Sequence, residues 1–220
     1  MAHAGMRAAA VCAAVLITSS CAVSGTGIGA IVPEEPASVA PPPRPTEAKT
    51  ETHQGKGNGT VTLDWPGEVP GYLTFDCPKC NANVIVNSDG TDFGLINAIG
   101  SYHGTVWFNV DRNGKPTRTL HISANAPWTV TVADHRSLPA VEAGKPHSGH
   151  GDAVLAIPAG VTEGTFTTKS DGHEAVWVQA YGTRELAVNQ VGEYEGTFEV
   201  PGPTFVAVEA YKGDWTFTAS

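Results

Sequence analysis

Cys77 and Cys80, spaced three apart in "CPKC", carry the most reactive side chains in this sequence. Such a pair can close a local disulfide, cycle as a redox couple or supply half of a tetrahedral zinc site. Zinc usually takes four ligands, and no second cysteine pair follows. A redox pair normally opens a helix in an alternating α/β pattern, whereas this one interrupts a strand-rich stretch. The favoured reading is a structural disulfide that fixes a turn, since so short a loop stabilises little through chain entropy. The alternative is a metal- or thiol-dependent enzyme that uses this pair with nearby histidines.

Other chemistry is sparser. His147, Ser148, His150 and Asp152 in "HSGHGD" make the one Ser, His and Asp cluster, and no G-x-S-x-G elbow is present. The related "HQGKGN" at 53 to 58 lacks the serine, the second histidine and the acid, so the segment reads as a turn entering a first strand. His103, His121, His135 and His173 are scattered, and His121 alternates with Leu120 and Ile122, which places it toward solvent. Asp89 and Asp92 in "NSDGTD" suggest calcium, but a calcium loop needs more spaced oxygens and a distal carboxylate; a hairpin turn is the better account. No catalytic residue, metal or cofactor is expected. Trp65, Trp107 and Trp177 are the candidate ligand contacts: Trp107 lies opposite Val106 and Phe108, Trp177 sits between Val176 and Val178, and Trp65 falls in a loop. Exposed rings of this kind stack on sugars; packing of one module on another would bury them instead.

The elements that must position these residues are strands. "TVWFNV" at 105 to 110, "TLHIS" at 119 to 123 and "WTVTV" at 128 to 132 alternate apolar with polar, the period of a half-buried strand. Asp-Gly and Asn-Gly pairs in "NSDGTD" and "DRNGKP" mark tight turns, and no segment carries a helical period. The pattern also repeats. "NAIGSYHGT" at Asn97 matches "NQVGEYEGT" at Asn189, "HQGKGN" at His53 matches "HSGHGD" at His147, and "WTVTV" at Trp128 matches "WTFTA" at Trp215. Three matches in one order indicate a duplication. The expected fold is all-β: two tandem small antiparallel β-sandwich or jelly-roll modules of about seven strands each, at 53–133 and 147–220, joined by a linker at 134–146. Trp128 and Trp215 should plug the two cores, the motif glycines should serve turns, and Tyr102 and Tyr194 should hydrogen-bond across theirs.

The pattern N-x-[IV]-G-x-Y-x-G-T, followed by an alternating strand and W-T-[VF]-T, resembles tandem β-sandwich modules of secreted and lipid-anchored actinobacterial proteins. The resemblance spans nearly all of 53 to 220 and implies no particular activity. "CPKC" has no equivalent in the second copy, which reads "SDGH" at 170 to 173.

The N-terminus sets the expected location. Arg7 precedes an apolar run, "AAAVCAAVLITSS", that ends in small residues, the order of a secretory signal over 1–20. The run is shorter than the roughly 20 apolar residues of a spanning helix. "LITSSC" resembles a lipobox, with Thr18 where leucine is usual, and implies lipidation at Cys21; ordinary cleavage near Ala22 to Ser24 is the competing outcome. Residues 21–52 then form a Pro-rich tether with too few large apolar side chains to fold. With 13 basic against 22 acidic residues, nucleic acid is not an expected partner. The sequence therefore predicts an envelope lipoprotein on the extracytoplasmic face of the cell membrane. Its modules bind or organise an envelope component, a cell-wall polysaccharide or an envelope protein, without catalysis. A purely structural spacer is the remaining alternative.

Overall fold

The computed structural model describes residues 47–220 other than 68, 112, 180–183 and 211. The signal, Cys21 and most of the tether therefore lie outside the described residues. The first module contains β1 (Glu51–Lys56), β2 (Gly59–Thr62), β3 (Gly71–Cys77), β4 (Asn83–Ser88), β5 (Gly94–Ile99), β6 (Tyr102–Phe108), β7 (Thr119–Ser123) and β8 (Pro127–Asp134). The second contains β9 (Pro146–His150), β10 (Ala153–Ile157), β11 (Glu163–Thr168), β12 (His173–Gln179), β13 (Glu185–Val191), β14 (Tyr194–Glu199), β15 (Thr204–Ala210) and β16 (Asp214–Ala219). Each module has eight strands, one more than the sequence pattern suggests. β1 begins at Glu51, inside the expected tether, and Ala48 already packs into the core.

The strand order is that of a jelly roll, twice. In the first module β1-β8-β3-β6 faces β2-β7-β4-β5; in the second β9-β16-β11-β14 faces β10-β15-β12-β13. Every pairing between these strands is antiparallel. First pairs with last, second with seventh, third with sixth and fourth with fifth, as when one long hairpin is rolled up. Alternation directs Leu73, Phe75, Val84, Val86, Leu120, Val130 and Val132 into the first core, and Phe166, Val176, Val206, Val208 and Phe217 into the second.

The duplicated glycines and tryptophans form one device. Gly55 pairs with Trp128 and Gly149 with Trp215 across the first and last strands. A Cβ on either glycine would come within 2.2 Å and 2.1 Å of the facing indole. Two residues on, Gly57 and Gly151 take positive φ (71° and 68°), where glycine alone is unstrained. Their carbonyls accept the indole N–H of Trp128 and Trp215, each at 2.8 Å. The glycines of "GKG" and "GHG" are thus fitted to the core tryptophans, and do more than turn the chain into a first strand.

Residues 134–146 are docked rather than slack. Asp134 accepts the N–H of Ala48 and of Arg136, both at 2.9 Å, and holds the Arg136 guanidinium at 2.8 and 2.5 Å. Val141 is buried in the second core and its N–H donates to Ala156. Burial alone would raise the Asp134 pKa, but the Arg136 and Ala48 hydrogen bonds outweigh it and hold the carboxyl at about 2. A depressed folded pKa contributes stability above the unfolded value that is lost as pH falls through the folded one. Asp134→Asn should therefore cost about 2 kcal/mol at pH 7. In denaturant titrations, its deficit against the parent should shrink below pH 4 and vanish near pH 2.

One core position breaks the pattern. Glu174, second residue of β12, occupies the place that Val84 holds in β4, is 0% exposed and has no hydrogen-bond partner on either oxygen. An unpaired buried polar group costs about 1–3 kcal/mol. Glu174→Val should raise the denaturation midpoint accordingly; a lower midpoint would show that the carboxylate has a partner.

Candidate functional site

The residues singled out by their chemistry separate in space. Cys77 and Cys80 form a disulfide and are both buried, which closes the turn between β3 and β4 as the sequence implies. "HSGHGD" forms β9 and the turn after it: Ser148 meets Thr216 at 3.2 Å, His150 meets Asp214 at 2.7 Å, and His147 lies against the Trp215 ring. No serine–histidine pair arises among the described residues of this segment. Asp89 accepts the N–H of Arg118 and Thr119, each at 2.8 Å, and the Arg118 bond foremost lowers its pKa. Asp92 accepts the N–H of Asn109 at 2.8 Å, while burial raises its pKa. These carboxylates organise the hairpin and the loop it packs on. His121 is exposed on β7, as its alternation implies.

The tryptophans fall differently from expectation. Trp65 is 1% exposed, its ring 5.1 Å from Phe108 and its indole N–H bonded to Val69 O at 2.8 Å; it is a core residue, which corrects its reading as a ligand contact in a loop. Trp107 does leave the first core, but is only 7% exposed, because it packs with Val110, Val154 and Ala207, and with Leu138, Trp177 and Phe205. The outer face of the second module's β10-β15-β12-β13 sheet thus covers it. Trp177 is half-buried at the same contact, and the Arg184 guanidinium lies 3.9 Å from its ring centroid and 5.6 Å from that of Trp107. An arginine so placed gains cation–π attraction and covers the ring face that a sugar would need.

Asp152 fastens the two modules. Its backbone carbonyl accepts the Thr105 N–H at 2.9 Å, and its carboxylate accepts the Tyr102 hydroxyl at 2.8 Å and the Ala210 N–H at 3.0 Å. Burial raises the Asp152 pKa. Burial also raises that of Tyr102 far above the ordinary phenol value, helped by the Asp152 charge, so the phenol remains a neutral donor. The Tyr102 ring folds over Gly104, and its hydroxyl bonds across the module boundary rather than within its own turn.

Beside this fastening, a cleft of about 430 Å³ opens between the modules. Phe93, Leu95 and Asn97 line one wall; His173, Arg184 and Glu209 line the other. Phe93 is 63% exposed, and Arg184 is paired to Glu209 at 3.2 Å. An apolar wall opposite convergent polar groups suits a polyhydroxylated or peptidic ligand. The sequence pattern does not single out Phe93, Arg184 or Glu209. Phe93 does carry a signal, an aromatic three residues after the Asp89-Gly90 pair; the other two lie in different strands' neighbourhoods and meet only through the roll.

No family model matches the chain, and no curated protein matches it. Among solved structures, the chain is similar to the turret protein A223 of Sulfolobus turreted icosahedral virus: 12% identity, 79% of this chain and 97% of that one, TM-score 0.29. It is also similar to the major capsid protein P2 of bacteriophage PM2: 12% identity, 77% and 95% coverage, TM-score 0.24. A kinase A regulatory subunit from Trypanosoma cruzi shares 7% identity over 77% of this chain and 72% of that one, TM-score 0.24. Likenesses this distant carry no functional argument. The class, a tandem jelly roll, rests on the strand order itself.

Proposed function

We propose that the protein is an envelope lipoprotein, exported and anchored through acylated Cys21, whose paired jelly rolls hold an extracytoplasmic component in the inter-module cleft without transforming it. The observation that carries this reading is how the side chains are used. The thiols, the Ser/His/Asp segment and the hairpin carboxylates are engaged in the fold, while the cleft sets the exposed Phe93 ring opposite Arg184, which pairs with Glu209 and stacks on Trp177, and His173, which bonds Asn189. Cell-wall polysaccharide is the leading ligand class, because sugars present apolar faces and hydroxyls together; an envelope protein is the other. Multiple acyl chains, at about 0.8 kcal/mol per buried methylene, would anchor the chain stably.

Two measurements test it. Mass spectrometry of the mature protein should find diacylglycerol on Cys21, and a mature start at Gly25 would refute the anchor. Purified protein assayed on glycan, ester, peptide and disulfide substrates should show no turnover; sustained turnover would overturn the non-catalytic reading.

A further inference from the structure

The joint between the modules is built from motifs that the duplication repeats, so each module keeps the counterpart of the half its neighbour uses. On the first module the half in use is the β6 edge. The Tyr102 ring folds over Gly104, its hydroxyl donates to the Asp152 carboxylate at 2.8 Å, and the Thr105 N–H donates to Asp152 O at 2.9 Å. β14 is likewise the edge strand of its sheet, and it lies on β11 in the register that β6 keeps on β3. Tyr194 folds over Gly196 in the same way, and the matching register turns the Thr197 N–H off the sheet edge as it does that of Thr105. On the second module the half in use is Asp152, next after the positive-φ Gly151. Its counterpart is Asn58, next after the positive-φ Gly57. Asn58 Oδ1 accepts the Ala124 N–H at 3.3 Å, as Asp152 Oδ1 accepts that of Ala210 at 3.0 Å. Where the Asp152 carboxylate accepts from a phenol, the Asn58 amide can donate to one.

We propose that these two halves meet between copies of the chain: the β14 edge of one takes the Gly57–Asn58 turn of a second, repeating the internal joint head to tail. Charge favours that occupant. Glu195 stands where His103 does and Lys56 where His150 does, and both histidines line one groove at the internal joint. Between copies, the same placement sets an acid against an ammonium. Trp107 packs on Val154 and Ala207, a cross-strand pair whose counterpart in the first module is Thr60 and His121. The counterpart of Trp107 itself, in the alignment of Asn97 with Asn189, is Glu199. The apolar contact thus becomes an acid facing a hydroxyl and an imidazole. Lys56, Thr60, His121, Glu195 and Glu199 are all exposed. A joint without the apolar part is weak and salt-sensitive, unlike the internal one. Because its two halves differ, the contact is heterologous, and it propagates into chains of copies or closes as a ring. It does not depend on what the inter-module cleft holds.

The test is analytical ultracentrifugation of the full-length protein in neutral detergent, over a range of protein concentrations. At low ionic strength the parent should associate with rising concentration, and about 0.5 M salt should reverse this. Glu195→Lys and Lys56→Glu should each weaken association about tenfold or more, since each sets like charges across the joint. The double variant carrying both changes restores the opposite-charge pair and should return to within about threefold of the parent. Glu142→Lys, the same charge change in the linker, should leave association unaltered, and all four variants should keep the parent's melting temperature. A parent that stays monomeric at every concentration in low salt, association that survives either single reversal, or a double variant no better than the singles would overturn the proposal.

Discussion

Gly149→Ala should destabilise the second module by about 3 kcal/mol, the upper range for forcing extra volume into a packed core. The added Cβ would fall 2.1 Å from Trp215, and the ring cannot yield without abandoning its bond to Gly151 O. Trp215→Ala should cost about 3–5 kcal/mol. The informative experiment is the cycle. With Trp215 already replaced by alanine, the methyl of Gly149→Ala has room, so the double variant should be more stable than the sum of the two losses by about 2 kcal/mol. Gly55 and Trp128 should behave alike in the first module. Strict additivity in urea titrations would show that glycine and tryptophan are not one device.

The second large effect concerns the boundary between modules. Asp152→Ala would leave the Tyr102 hydroxyl and the Ala210 N–H without an acceptor in a buried setting. Each such orphan costs about 1–3 kcal/mol, so the two together should cost about 2–6 kcal/mol. Tyr102→Phe, which removes only the donor, should cost less. Calorimetry should show the modules of Asp152→Ala melting in two steps where the parent melts in one. The pH dependence has a definite sign. A raised folded pKa at Asp152 contributes stability that is fully present below the unfolded value and is lost as pH rises through the folded one. The parent's boundary should therefore strengthen toward pH 4, and that trend should vanish in Asp152→Ala.

Much of this fold is legible in the order of the amino acids alone. Alternation marks the strands, and the paired W-T-x-T and glycine motifs reveal the duplication, because both modules keep the same core device. The disulfide that closes the "CPKC" turn is equally legible, since spacing restricts what two cysteines can do. The features that escape the sequence share one physical cause: they depend on contacts between distant strands. The alternation at Trp107 correctly turns the ring out of the first core, yet no local pattern shows that the second module lies over it. Trp65 sits in a loop that folds back onto Phe108, and loop burial leaves no period. Tyr102 is legible as a hydrogen-bonding tyrosine, but its partner is 50 residues away. Arg184 gains meaning only from two rings brought together by the packing of one jelly roll on the other.

Whether the inter-module cleft holds an envelope component is tested most directly by co-sedimentation. The full-length protein, in detergent, would be spun with insoluble cell-wall polysaccharide, comparing the parent with Arg184→Glu and Phe93→Ala. Saturable retention of the parent, reduced at least tenfold by either substitution with the melting temperature preserved, is the predicted result. Retention unaffected by both substitutions, or none at all in the parent, would contradict it.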